Sequence, residues 1–444
     1  MKYELATVLE RLDYNQGDVL QLAGYYGGRQ PLAFVAPEVR EATKDRLSSV
    51  VVNWPRLTVD AVAERLSVIG FTVNDRALPG VWRDWRMTGL DVSSQTVETE
   101  ALIAGRSYVL VWADGRGRPV ASVESAATTY VLHDPGTRER VAAVKRWQES
   151  ADLAHLVYFQ RDRVSRYTAG SIAAPANAWT LTEVMPNPFG VVPVVPFINR
   201  ARHSVEDGES EMSDVLPLAD AINKLTTDLM VASEFSALPR RWATGVQLPE
   251  AVDADGNPTG EVDTKEAFSL IANRVWMVED PTARMGQFPE AQLSGFTNAL
   301  AALTQSLGAL SGLPPHYLGL HGDQPASADA IRSAEASLVA RVRRAQRQFG
   351  ASYAEVIRLV SAVSTGRWDT SLDAVEVQWA DPETRTDAQT ADAVTKLYAA
   401  GLLPYDAAMT RLGYKPDQIR QMRDQRRTDA IEQAAWGMGA RVAA

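Results

Sequence analysis

Apolar positions recur at two periods along this chain, and the switches between them mark out its segments. Residues 1–70 carry spacings of three and four. Pro37 to Val52 predicts a helix with Val39, Ala42, Leu47 and Val50–Val51 inward, and Asp60 to Leu66 predicts another, with breaks at Pro55 and Gly70-Phe71. From about 90 to 200 the period becomes two. Strands are predicted at Ser107 to Trp112, Val120 to Val123, Tyr130 to His133, Val141 to Trp147, His155 to Gln160 and Val164 to Tyr167. Turns at Asp114-Gly115-Arg116-Gly117 and Asp134-Pro135-Gly136 separate them, so an antiparallel meander within an α+β fold is expected.

Longer helices follow. Residues 213–237 place Val215, Leu218, Ile222, Leu225 and Leu229 on one stripe, with Pro217 in the first turn. Residues 289–311 repeat Leu293, Phe296, Leu300, Leu303, Leu307 and Leu310 at steps of three and four, between Pro289 and Gly312-Leu313-Pro314-Pro315. Such narrow stripes suit packing along a seam with other helices. Between them, 240–288 reads as strand and turn, with a loop tip at Asp253 to Pro258 and a strand at Arg274 to Val278.

After a loop at 312–327 comes the longest helix. Ser327 is its expected cap; Ile331, Leu338, Val342, Ala345, Phe349, Val356 and Val360 line one side, and Gly366 lies past its end. About 36 residues at 1.5 Å each span roughly 54 Å, longer than a small domain is wide. Residues 375–379 read as a strand. Residues 383–440 read as helices broken at Gly401, Pro404, Gly413 and Pro416, with the last eight residues expected to fray.

Composition narrows the function classes. The 444 residues include 45% hydrophobic and 23% charged side chains, an ordinary globular balance. The absence of cysteine removes thiolate chemistry and Cys-ligated zinc. Met1 to Leu5 lacks a charged-then-apolar layout, and the longest apolar run, Val191 to Ile198, is far short of the ~20 residues that cross a bilayer. A soluble intracellular protein is expected. The net charge of −10 argues against a static duplex binder, which gains affinity by releasing counterions from phosphates. It is compatible with a surface that DNA slides past.

No catalytic signature stands up. There is no Gly-Lys dipeptide for a phosphate-binding loop, and Gly115-Arg116-Gly117 reads as a hairpin turn. His133, His155, His203, His316 and His321 lack metal-pair spacing; His316 and His321 read as solvent-facing loop residues. Asp253, Asp255 and Asn257 lack the remaining positions of a calcium loop. Glu206, Asp207, Glu209, Glu211 and Asp214 read as charge complementing a helix N-terminus. Arg341, Arg343, Arg344 and Arg347, like Arg420, Arg423, Arg426 and Arg427, read as solvated or acid-paired faces. No enzyme activity, metal or cofactor is expected.

Several stretches, in order, are more informative together. They are Gly190-Val191-Val192-Pro193-Val194-Val195-Pro196-Phe197-Ile198-Asn199, Gly208 to Glu211, Pro217 to Lys224, Gly312 to Gly319, Ser327 to Arg332, Val375 to Pro382 and Ala399 to Leu403. They resemble the portal proteins of tailed bacteriophages, particularly those of phages infecting actinobacteria. The resemblance implies a ring-forming α+β portal fold with a mixed α/β wing, helical stem, small α/β clip, long wing helix and helical crown. Carried onto this chain, the wing is 1–210 with 328–382, the stem helices 211–238 and 289–311, the clip 239–288, the tunnel loop 312–327 and the crown 383–444.

The same resemblance implies a twelve-subunit ring at one capsid vertex, assembled in the host cytoplasm, through which double-stranded DNA passes non-specifically. It implies docking of terminase and then of a head–tail adaptor, with major capsid protein and scaffold around the wing and no membrane. The tunnel-loop candidates are His316, Tyr317, His321, Asp323 and Gln324; with no lysine or arginine, this loop can touch phosphates through neutral donors. Arg240, Arg241, Trp242 and Trp276 are candidates for clip docking or subunit contact. Leu218, Ile222, Leu225, Leu229, Leu293, Phe296, Leu300, Leu303 and Leu307 are candidates for stem packing. Two rivals stay open: a minor head or adaptor protein, and an uncharacterised α+β enzyme.

Overall fold

The computed structural model describes residues 4–30, 50–202, 207–237, 241–244, 250–252, 258–262, 282, 284–287, 293–320, 328–383, 387–415 and 417–429. The expected helix over Pro37 to Val52, the expected strand at Arg274 to Val278 and the Ser327 cap therefore lie outside the described residues, wholly or nearly so. The chain divides into two compact units. The first combines Val52–Ala219 and Gln305–Ala444 with the N-terminal stretch, and the second covers Asp220–Thr304 in its described part.

The first unit opens with α1 (Leu5–Tyr26), α2 (Trp54–Ala63), the hairpin β1 (Val68–Val73) and β2 (Arg76–Ala77), α3 (Pro79–Met87) and α4 (Leu90–Ala104). Pro55 opens α2, where its missing N–H costs nothing, and Gly70-Phe71 lies inside β1 rather than at a break. Residues 90–104 correct the expected start of period two at about 90. They form a helix between Gly89 and Gly105, both in the left-handed region, and bury Val97, Ala101 and Leu102. The Ser, Thr and Val content obscured it, because tertiary burial overrides weak local propensity.

Strands β3 (Arg106–Ala113) and β4 (Pro119–Glu124) form a hairpin, and β10 (Val194–Ile198) pairs with β3 on its other side. Asp114 makes the β3–β4 turn: its Oδ1 accepts from the backbone N–H groups of Arg116 and Arg118 at 2.8 and 2.9 Å. The expected meander is present as five antiparallel strands in sequential order: β5 (Thr129–His133), β6 (Arg140–Ser150), β7 (Leu153–Gln160), β8 (Arg163–Ala169) and β9 (Thr180–Pro186). No strand is expected at β9, an edge strand with Leu181 and Val184 exposed.

The centre of the meander is covered on both faces. Val8, Leu9 and Leu12 of α1 pack with Tyr130, Ala142, Val144 and Leu156 on one, and Tyr108 and Val194 pack with Ala143, Phe159 and Val164 on the other. Across the β3–β10 sheet lies α7 (Ala328–Thr365), the expected long helix at 38 residues, ending at Gly366. It also packs on β15 (Val375–Trp379), which pairs antiparallel with β1. Tyr353 of α7 is the hub of the contact. Its ring lies 4.6 Å from Phe197, 5.0 Å from Trp85 and 6.0 Å from Trp379, centroid to centroid. The C-terminal part holds α8 (Asp387–Ala399), α9 (Tyr405–Arg411) and α10 (417–429), broken where glycine and proline predicted.

Helix α5 (Leu216–Ala237) carries the chain out of the first unit, with Pro217 in its first turn. In the second unit β11 (Arg241–Thr244) pairs with β14 (Arg284–Gln287), and β12 (Glu250–Val252) with β13 (Pro258–Val262). The expected loop tip, apart from Pro258 at the start of β13, lies outside the described residues. Helix α6 (Ser294–Ser311) returns to the first unit. Among the described residues no helix is long and apolar enough to cross a membrane.

Phe197, fully buried between two rings of α7, and Leu181, about half exposed, test this placement. Phe197→Ala should cost about 3–5 kcal/mol and Leu181→Ala less than about 0.5 kcal/mol, read as shifts in the denaturation midpoint of the full chain.

Candidate functional site

The loop between α6 and α7 emerges from a tightly built junction. The last turn of α6 buries Leu307, Gly308 and Ser311. A side chain at Gly308 would run into Leu318, whose Cδ1 would lie 2.5 Å from the added carbon. Gly312 ends the helix at φ +66°, a left-handed conformation that other residues adopt only with strain, and sits against Ser337 and Arg341 of α7. Leu313 and Pro314 are buried, and a single 3-10 turn, Pro315–Leu318, leads to Gly319.

Two arginines pin this junction to the rest of the unit. Arg341 of α7 donates through Nη1 to Glu211 Oε1 at 2.7 Å and through Nη2 to the Leu310 carbonyl at 2.6 Å. Glu211 has a side chain only 2% exposed, and its other oxygen accepts from Asn199 Nδ2 at 3.2 Å. Arg65, just past α2, donates to Tyr317 Oη at 3.1 Å, to Glu335 Oε1 at 2.9 Å and to the Pro382 carbonyl at 2.7 Å. Glu335 is 5% exposed, and His316 Nε2 stands 3.8 Å from it. A carboxylate this buried needs a partner, because its lost hydration has to be replaced. The guanidinium fork does this while bridging segments far apart in the chain.

The acidic stretch at 206–214 is thus corrected. No acid lies in the first turn of α5. Glu211 takes Arg341, Asp214 takes Arg200 at 2.8 Å, Glu209 takes Arg202, and Asp207 lies 3.9 Å from Arg106. Sequence spacing could not show this, since Arg341 is 130 residues away from its acid. His316 is likewise not a free loop residue: its Nε2 stands 3.8 Å from Glu335 and its ring lies tilted against that of Tyr317, 5.0 Å between centroids. Of the basic run on α7, Arg343 pairs with Glu383 at 2.5 Å, while Arg344 and Arg347 are exposed. In α10, Arg423 pairs with Asp406 and Arg426 lies over the Tyr405 ring.

The remaining candidates are scattered. His321, Asp323, Gln324, Arg240 and Trp276 lie outside the described residues; Arg241 and Trp242 are in β11, with Trp242 opposite Gly286. On the two stripes, Ile222 and Leu307 are buried. Leu218, Leu225, Leu229, Leu293, Phe296, Leu300 and Leu303 are each only partly covered. Among the described residues no group of three His, Asp or Glu is placed to hold a metal ion.

Comparison with known proteins gives concordant matches. The family described as "Phage portal protein, SPP1 Gp6-like" matches residues 4–432. The portal protein of Mycobacterium phage L5 is 32% identical over 410 residues, covering 87% of this chain and 80% of the relative. That of Mycobacterium phage D29 is 32% identical over 408 residues, with the same coverage. Among solved structures, a chain from the virion of a native gene transfer agent particle is similar at TM-score 0.48 and 15% identity, covering 90% of this chain and 99% of that one. A chain from the neck of the native particle gives TM-score 0.49 at 14% identity, covering 86% of this chain and 95% of that one.

Arg341→Ala should be far more damaging than Arg343→Ala. The first strands Glu211 in the interior and should cost about 3–5 kcal/mol. The second loses an ion pair that is half in solvent and should cost at most about 1 kcal/mol. Thermal unfolding measures both, and limited proteolysis of Arg341→Ala should show faster cleavage around residues 312–320.

Proposed function

The chain belongs to the SPP1 Gp6-like phage portal protein family, and from that membership we propose that twelve copies close into a ring at one capsid vertex and form the channel for the genome. The observation that carries this reading is the family match over residues 4–432. Phage portal proteins are structural components of the virion, and the role proposed here is mechanical rather than catalytic.

Within that ring, we assign residues 1–210 and 328–382 to the wing, α5 and α6 to the stem, 239–288 to the clip and 383–444 to the crown. The half-covered leucines of α5 and α6 support the stem assignment. Apolar surface left in water on two helices is completed when a neighbouring copy packs on it. At ~25 cal/mol per Å², several hundred Å² contribute several kcal/mol at each contact around the circle.

The loop at 312–327 is the proposed narrowest part of the channel. His316 and Tyr317, held by Glu335 and Arg65, would fix its base, and His321, Asp323 and Gln324 would meet the duplex. Neutral donors touch phosphates without locking onto them, which suits a strand that must keep moving. No nucleotide-binding motif is present in the sequence, so a terminase would supply the energy for packaging. It would dock on the clip around Arg240, Arg241, Trp242 and Trp276, and a head–tail adaptor would take that surface later. Capsid protein and scaffold would surround the wing as the particle assembles in the host cytoplasm.

Light scattering on the purified chain should give roughly 580 kDa, twelve times 48.5 kDa, and particle images should show a central hole. A stable 48.5 kDa monomer under assembly conditions contradicts the ring and favours the adaptor reading. Deleting residues 321–325 should leave the ring intact while impairing DNA packaging or retention; normal values for both remove the loop from the channel.

A further inference from the structure

Glu98 is a deeply buried ionisable group of the first unit. It lies on the inner face of α4 and is 1% exposed. The hydroxyl of Tyr353, itself fully buried at the middle of α7, stands 3.0 Å from Glu98 Oε1 and 3.2 Å from the Ser94 carbonyl. We propose that Glu98 and Tyr353 form a proton-dependent latch that clamps the middle of the long helix to α4, holding when the carboxyl is protonated and weakening when it ionises.

The hydrogen-bond inventory supports the neutral form. With Glu98 protonated there are two protons for two contacts: the carboxyl donates to Tyr353 Oη, and the phenol donates to Ser94 O. With Glu98 ionised, one phenolic proton has to serve both the carboxylate and the Ser94 carbonyl, and a charge is left in an apolar interior. Among the described residues no cation acts on it. Tyr353 is flanked by the Trp85, Phe197 and Trp379 rings. Among the described residues, Asp13 of α1 pairs with Arg146, Arg11 of α1 and Arg344 and Arg347 of α7 are exposed, and other charged groups of the packing elements are engaged elsewhere. Arg65 beyond α2 is taken by Glu335, Arg86 of α3 by Asp417, Arg106 of β3 by Asp207, Glu124 of β4 by Lys145, and Glu355 of α7 by Arg140. On α4 itself Glu100, two residues on, is also raised by burial.

Burial pushes Glu98 up to about 8, against a smaller lowering by the Tyr353 hydrogen bond. It also pushes the phenol of Tyr353 well above its ordinary range, with the charge of Glu98 adding to the effect. An acid raised on folding keeps its proton in the folded chain after the unfolded chain has released it. Each step in pH between its ordinary value of 4.5 and about 8 therefore favours unfolding; the dependence is flat below and above that window. The clamp also bears on the loop junction, because Glu335 and Arg341 lie on the same helix, 18 and 12 residues before Tyr353.

Stability of the full chain against pH tests the latch, with Glu98→Gln as the comparison, since glutamine keeps a donor toward Tyr353 but cannot ionise. The ratio of the unfolding constants of wild type and Glu98→Gln should be at least tenfold larger at about pH 8 than at about pH 5. Parallel curves overturn the proposal. Should Glu98→Gln fail to fold, the wild type alone decides. Amide hydrogen exchange over residues 350–360, corrected for its intrinsic pH dependence, should accelerate as pH rises from about 5 to about 8 and level off above it. Unchanged protection there overturns the latch as firmly.

Discussion

A helix of 38 residues has to be covered along much of its length, and this requirement organises the first unit. The cover comes from three directions. β10 brings Phe197, β15 brings Trp379 and α3 brings Trp85, and all three converge on Tyr353. Aromatic rings suit such a convergence because each removes a large apolar area from water while edge-to-face contacts fix the angle of approach. The segments involved span residues 71 to 379, so this one cluster ties the N-terminal helices, the β3–β10 sheet and the C-terminal strand to a single rod.

Arginine does the same task for the polar interior. Arg341 and Arg65 each engage a buried carboxylate and a backbone carbonyl from another part of the chain. Their value lies less in net stability, since buried ion pairs often only offset their own desolvation, than in specificity. Glu211 and Glu335 are satisfied in one arrangement only, and that arrangement fixes where α6 ends, where α7 runs and how the loop between them is held at its base. The base of the proposed tunnel loop, up to Leu320, is thereby tied to the first unit.

Charge and burial are compatible with the proposed conduit. The chain is acidic overall, its exposed ion pairs are scattered, and the loop proposed to face the duplex carries no lysine or arginine. The apolar stripes of α5 and α6 are only half covered within one chain. In the proposed ring the neighbouring copies complete them, so folding of the subunit and closure of the circle draw on the same hydrophobic surface.

Local periodicity was enough to determine the meander from β5 to β8, the β3–β4 turn at Asp114, helices α5 and α6 and the long helix ending at Gly366. In each case alternation, a three-to-four spacing or a glycine marks the element within its own window. The same reading placed period two over residues 90–104, where packing against β3 makes a helix of a stretch rich in serine, threonine and valine. The loop could be located from its Gly-Leu-Pro-Pro opening, but its anchoring could not. Which arginine meets which carboxylate, and whether His316 faces water or Glu335, depends on residues more than a hundred positions apart or on a turn packed against another helix. Only the tertiary structure decides these, because ion pairs and aromatic contacts are set by distance in space, and a one-dimensional pattern carries no information about that distance.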